Sequence, residues 1–517
     1  MNTFHPADLA VFVGYFAVFT AIAFWAGRKK KDDAADFFIQ QNKLPWYAIG
    51  FSMIASGISS EQFIGTVGFA YSTGLSVANW EWANGPSMLI LVFLFIPFYL
   101  RKKIVTMPHF LERRFDGRVR TLFAVLTILI YVFINLAGVL YSGGFALNRV
   151  FGINLYAAIW SIAILVAVFN IYGGMATLAW TNVFQASMLL GSGIVLSVIG
   201  VLSVPGGFAE VLGEGRRAHL ILPASDPDVP WTALLVLMFS TNVWYYCTNQ
   251  NINQSTLGAR NKWHAQMGVI LAALLWLIIP LADTFPGLVA YTLDPGLMAD
   301  QAYFYVIGQL VPAGLRGLLF AVLCAAVVAA VQAGINGVST VFTFDIFGRF
   351  VKDADQATLI RAGRLCSATA LVIGAFWAPT VMRFEQIFSY FQECWAFVAV
   401  PVAATFVAGA LWRRMNANAA LVTLSLVFPM LVVPYLLRMF DVGMNAFNVA
   451  GLVAIATVAL VVVLGFVTRP TGTEDDTMVF SFGGSKSDAV AGPLYRRVGF
   501  WAGVMMLVYA GVYACFW

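Results

Sequence analysis

Apolar and polar residues fall along this chain in long blocks. Apolar runs near 20 residues recur from end to end, separated by short polar stretches. Fourteen are present, near 9–26, 46–70, 79–100, 119–149, 153–172, 177–203, 231–256, 262–292, 314–349, 357–382, 387–412, 418–438, 445–468 and 496–516. About 20 apolar residues is what a helix needs to cross a hydrocarbon core about 30 Å thick, roughly twice what a barrel strand needs. The pattern predicts an all-α integral membrane protein, about 14 transmembrane helices in one domain over 1–517. The longest polar stretches, about 28–45, 205–230 and 470–495, read as loops. Charges follow the first run instead of preceding it, which predicts a retained span and not a cleaved leader.

Two runs are interrupted at their centres. One reads Ser56-Gly57-Ile58-Ser59-Ser60-Glu61-Gln62. The other reads Ser240-Thr241-Asn242 and then Cys247-Thr248-Asn249-Gln250. Unwound backbone at membrane depth is tolerated where it lines a cavity. These are the second and seventh runs, five apart, and matched broken helices point to an inverted-repeat transporter. The predicted halves are 46–203 and 231–412, with one extra helix before them (9–26) and three after (418–516).

Composition agrees. The chain is 60% hydrophobic and 11% charged, with a mean hydropathy of +0.82, whereas soluble domains carry about 25% charged residues. Of its 30 lysines and arginines, 24 fall on the side of the 28–45 loop. That asymmetry predicts a cell (inner) membrane protein with this side cytoplasmic and both termini outside. The net charge of +5 needs no nucleic acid. The basic segment His109 to Arg118 reads as resting on lipid headgroups. The five cysteines lie in apolar runs without metal or disulfide spacing. No His-Glu-x-x-His pair or P-loop is present, so no enzyme is expected. Glu81, at the start of an apolar run, is costly at depth, roughly 3 kcal/mol on insertion scales. Such a group is kept where it meets a polar solute.

Ser60-Glu61-Gln62-Phe63-Ile64-Gly65, Asn79-Trp80-Glu81-Trp82, Tyr172-Gly173-Gly174 and Phe391-Gln392-Glu393 together resemble the sodium:solute symporter family. The nearest branch is the bacterial sodium/galactose and sodium/glucose cotransporters, and the resemblance runs over about 46–412. It implies a LeuT-type five-plus-five inverted repeat with two discontinuous helices, working by alternating access. It places sugar-binding positions on Gln62, Glu81, Asn242 and Gln392, and an inner aromatic gate on Tyr245. The outer gate falls on Thr66, Trp80 and Phe388. Trp276 stands where sugar-transporting relatives have a lysine; it removes that donor and narrows the pocket. Amides and a carboxylate suit a sugar or polyol.

The same resemblance places the main Na⁺ site on carbonyls of Ala55, Ile58 and Ala326, with hydroxyl positions occupied by Ala329 and Ala330. A second Na⁺ site falls on Asn182, in place of an aspartate, and on Gln332. Na⁺ is a hard cation that wants oxygen, and these changes remove it. The expectation is a sugar carrier with degenerate sodium sites, Na⁺-independent or weakly coupled and without cofactor. The alternative is a Na⁺- or H⁺-coupled symporter of a sugar or another small polar solute. Asn182 and Gln332 are expected to hydrogen-bond to each other. Asp283 is a possible proton site, although its place toward the outer end favours contact with water.

Overall fold

The computed structural model describes residues 5–28, 43–58, 61–351, 353–383, 387–440, 444–472, 474–480 and 493–517. The side chains of Glu61, Gln62 and 169–176 are outside that description. Among the described residues ten helices are long and apolar enough to cross a membrane. The other four apolar runs are helical but shorter or interrupted.

Both expected interruptions are present. The first broken helix runs Trp46–Gly57, leaves helical geometry at Ile58 (φ −115°, ψ 127°) and resumes through Glu61–Thr66 and Val67–Thr73. The second runs from Trp231–Val236 through Leu237–Thr241 and Trp244–Thr248. It breaks at Asn249 (φ −87°, ψ 125°) and continues as Gln250–Leu257. Polar residues crowd each break because freed backbone groups need partners in a water-poor setting.

The runs 153–172 and 177–203 are not separated by a non-helical turn. Helical backbone continues from Leu155 to Leu202, 48 residues. At 1.5 Å per residue this is about 72 Å, more than twice a hydrocarbon core. Contacts show that it is not one straight rod: 155–168 and 177–202 pack as two passes of opposite direction. Thr177 donates to the Ala23 carbonyl and Trp180 packs on Trp25. Gln185 instead accepts from Tyr15. Residues 177 to 185 thus run antiparallel to the first helix, Pro6–Gly27. Earlier, Gly144 meets Ile159 and Leu155, which pairs 155–168 with Ala137–Phe151.

Prolines shape other passes. The run 262–292 divides into Lys262–Trp276, Pro280–Asp283 and Phe285–Leu293. Pro280 and Pro286 each lack the N–H that a helix interior needs. The outer connection holds a helix that hydropathy blocks did not signal, Ala302–Leu310, with Tyr303, Phe304 and Ile307 buried.

Two arginines fasten helix ends. Arg114 is fully buried. It donates to the carbonyls of Gly409 (2.8 Å), Trp412 (3.2 Å), Arg413 (3.3 Å) and Met415 (2.9 Å) at the end of Ile387–Leu411. Arg217 donates to Ala70, Tyr71 and Ser72 carbonyls at the end of the first broken helix. Both satisfy carbonyls that a helix terminus leaves unpaired.

Candidate functional site

A small cavity of about 40 Å³ lies between the two broken helices, with Gly57 of the first and Leu237, Thr241, Asn242, Tyr245 and Tyr246 of the second in its wall. Glu81, Asn242, Tyr245, Trp276 and Gln392 all line it, together with Trp80. Five of the six expected solute positions are therefore brought together. The sixth, Gln62, has a side chain outside the described residues. The lining also contains Asn84, Thr241, Tyr246 and Trp395, which sequence reasoning missed. Asn84 and Thr241 lie one turn from Glu81 and one residue from Asn242, so helical spacing was a usable signal.

Several of the lining polar groups are held. Asn84 Nδ2 donates to Glu81 Oε2 at 3.3 Å. Asn242 Nδ2 donates to Ser87 Oγ at 3.5 Å, and that hydroxyl donates to the carbonyls of Ala83 and Met238. Tyr245 Oη donates to the Gly57 carbonyl at 3.4 Å. Gly57 leaves little room for a side chain here. A Cβ on it would stand 3.1 Å from Trp276 Cζ2.

Among the described residues, the indole N–H groups of the lining residues Trp80, Trp276 and Trp395 are buried and find no hydrogen-bond partner. Trp276 was expected only to remove a donor and narrow the pocket. It does narrow the space, but it brings an unused N–H of its own. A buried polar group without a partner costs about 1–3 kcal/mol. At its present size the cavity holds a few waters and no sugar ring.

The closure is aromatic on both sides. Outward, Phe388 stacks on Phe69 with centroids 4.6 Å apart and meets Trp80 edge-on at 5.4 Å. Phe447 adds a further edge to Trp80 at 5.4 Å. Trp80 and Phe388 were expected here; Phe69 and Phe447 were not. Thr66 is buried on the same broken helix. Inward, Tyr245 packs on Trp395 (5.8 Å) and Tyr246 (5.2 Å). Beyond it, Tyr131 Oη donates to the side chains of Asn249 and Asn251 at the second break.

The expected sodium positions lie beside the first break. Ala55, Ile58, Ala326 and Ala329 are almost fully buried and Ala330 is nearly so. Asn182 does not pair with Gln332. Its amide nitrogen turns to the first broken helix and donates to Ser52 Oγ (3.1 Å) and Ser56 Oγ (3.0 Å). This follows from the fold-back: the 177–202 pass packs Asn182 against Trp46–Gly57, while Gln332 sits on Leu315–Val341. Asn182 Oδ1 and both polar atoms of Gln332 are buried without partners.

Asp283 does not reach water. It is 1% exposed, because the turn at Pro280 tips its helix inward. Its Oδ1 accepts from Thr284 Oγ1 at 3.0 Å.

Comparison with known proteins agrees with this geometry. The model of the sodium:solute symporter family matches residues 37–426. The sodium/glucose cotransporter of Vibrio parahaemolyticus is 35% identical over 448 residues, 80% of this chain and 82% of that protein. The human sodium/myo-inositol cotransporter 2 is 31% identical over 463 residues, 80% of this chain and 67% of that protein. Among solved structures, a Na⁺-coupled sialic acid symporter in its outward-open state superposes with a TM-score of 0.78 at 22% identity. It covers 90% of this chain and 99% of that one. At that identity the likeness speaks to the fold, which is the LeuT-type inverted repeat. With its two matched broken helices and this sequence match, the chain belongs to the sodium:solute symporter family.

Proposed function

We propose that this protein carries a sugar or related polyol across a cell membrane by alternating access, with Na⁺ coupling weak or absent. The observation that carries the solute reading is the cavity's unmet hydrogen-bonding demand. Among the described residues three indole donors find no partner, and Glu81, Asn242 and Gln392 add an acceptor and two amides. A polyol offers donors and acceptors on every carbon and meets both needs. The cited relatives are named as glucose and myo-inositol cotransporters, which supports the same solute class. A carboxylate solute fits poorly, since Glu81 repels it. The 24 cationic residues on one side support an inner-membrane orientation with that side cytoplasmic.

The coupling reading rests on Ala329 and Ala330, which offer methyl groups where hydroxyl oxygens are expected, and on an amide at Asn182. Two observations favour the other reading, the first being that the cited relatives are named as sodium cotransporters. Asn182 Oδ1 and Gln332 Oε1 are buried acceptors without donors, and Na⁺ binds such oxygens. Uptake of radiolabelled glucose and myo-inositol into proteoliposomes, under an inward Na⁺ gradient and then a choline gradient, separates the two. Equal initial rates without accumulation above equilibrium are expected. Accumulation that requires Na⁺ overturns the weak-coupling reading.

A further inference from the structure

We propose that the cavity between the broken helices takes a polyol that carries a protonated amine, an amino sugar, in preference to a neutral sugar. The proposal rests on the reading of this cavity as the polyol site.

The wall is negative. Among the described lining residues Glu81, 4% exposed, is the one charged side chain, and no Lys, Arg or His is present. The sequence extends that census. The passes that build the wall run over 46–73, 75–101, 231–257, 262–276 and 387–411, and their basic residues are Arg101, Lys262 and His264. All three sit at the ends of those passes. His264 comes twelve residues before Trp276, about 18 Å along a helix. Groups packed behind the wall add no positive charge among the described residues. Asp283 is buried on Pro280–Asp283, and the Tyr509 phenol of the last helix donates to the Ala273 carbonyl at 2.7 Å. A carboxylate at membrane depth is costly. An ammonium carried in by the solute offsets that cost with a charge-assisted hydrogen bond.

The rest of the wall suits the same charge. Trp80, Tyr245, Tyr246, Trp276 and Trp395 line it. Four of these rings are neighbours in series. Trp276 meets Tyr246 with centroids 6.3 Å apart and planes at 78°. Tyr246 meets Tyr245 at 5.2 Å and 84°, and Tyr245 meets Trp395 at 5.8 Å and 44°. Rings turned so far from one another present their faces in several directions, as the sides of a box do. Those faces are negative, and a cation within about 6 Å of a ring centroid is attracted to it, most strongly by tryptophan.

The solute must also carry hydroxyls. The indole N–H groups of Trp80, Trp276 and Trp395 call for acceptors, which an ammonium lacks and hydroxyl oxygens supply. Asn242 and Gln392 can both donate and accept. An amino sugar uses both parts of the wall, its ammonium at Glu81 and the ring faces, its hydroxyls at the amides and indoles. A quaternary ammonium without hydroxyls uses only the first part, and a neutral sugar brings no counter-charge.

The test is equilibrium binding of radiolabelled glucosamine, glucose and choline to the full-length protein in liposomes. It is run at about pH 6 and about pH 9, on either side of the roughly 8 at which an amine of the α-amino kind loses its proton. Glucosamine has an amine where glucose has a hydroxyl, so the ratio of their dissociation constants reads the charge and cancels titration of the protein. At the lower pH glucosamine is expected to bind about tenfold more tightly than glucose, and the ratio should fall toward one at the higher pH. Glu81→Gln should bring the lower-pH ratio toward one, and Trp395→Leu should reduce it about threefold. The wild-type ratio decides even where a variant fails to fold. Equal affinities at both pH values, or tighter glucose, overturn the amino-sugar preference and leave the polyol site standing. Choline bound with neither sugar bound overturns both, as does binding of none of the three.

Discussion

Phe388→Ala is the sharpest perturbation of the outer lid. The Phe388 ring is 4% exposed, stacked on Phe69 and edge-on to Trp80. Burying a phenylalanine side chain is worth about 1.5–3 kcal/mol. Each aromatic pair adds about 0.5–1.5 kcal/mol. Opening the lid separates these rings, so the loss falls on the closed state. Even the low-side total, about 2.5 kcal/mol, shifts the closed-to-open ratio about 70-fold. Thr241 lines the cavity beneath the lid. In a background with the five native cysteines replaced by alanine, Thr241→Cys reports access to a membrane-impermeant thiol reagent added opposite the basic loops. Phe388→Ala should raise its labelling rate about 100-fold. Phe388→Leu keeps most of the burial and loses both pairs, so about 5-fold to 100-fold is expected. A rate within about twofold of the parent for both variants would refute the lid assignment.

Other consequences are testable. Asn242→Ala removes one amide from the cavity and should weaken glucose or myo-inositol binding about 5-fold to 100-fold, from about 1–3 kcal/mol, in equilibrium binding. Gly57→Ala forces a Cβ to within 3.1 Å of Trp276 and should lower maximal uptake, with Trp276→Leu restoring it in the double variant. Restoring oxygens with Ala329→Ser, Ala330→Ser and Asn182→Asp together should increase Na⁺ stimulation of uptake; no change would count against those positions as ion ligands. On the basic face, burial, and then the charges of Arg120 and Arg113, push His109 down to about 4 from its ordinary 6.5. The unfolded chain then binds the extra proton between those values, so stability falls as pH drops from about 6.5 toward 4. His109→Gln should flatten the thermal midpoint across that window.

The breaks were legible because polar residues at the centre of an apolar run are tolerated only where backbone unwinds or a cavity opens. The cavity-lining set was legible for a related reason: Glu81, Asn242 and Gln392 are expensive at depth wherever they point. Partners across helices were not legible. Whether Asn182 meets Gln332 or Ser52 depends on how the 155–202 stretch folds back, and hydropathy is silent on rotation about a helix axis. Asp283 was misplaced for a similar reason. Position along a run suggests depth, but the turn at Pro280 sets direction. Phe69 and Phe447 were hidden because the lid gathers single rings from four distant segments.

The caging of Arg114 bears on how the protein is made. Its carbonyl partners lie 295 to 301 residues downstream. At roughly 5–20 residues per second, about 15–60 s of synthesis separate the guanidinium from the groups that enclose it. Until then the guanidinium lacks those carbonyls, while the short helix Met107–Arg114 already has a seat in its own half, with Phe110 against Phe98 and Tyr99. The bonds that lock this helix to the second half therefore form late in synthesis, once residues 409 to 415 have been made.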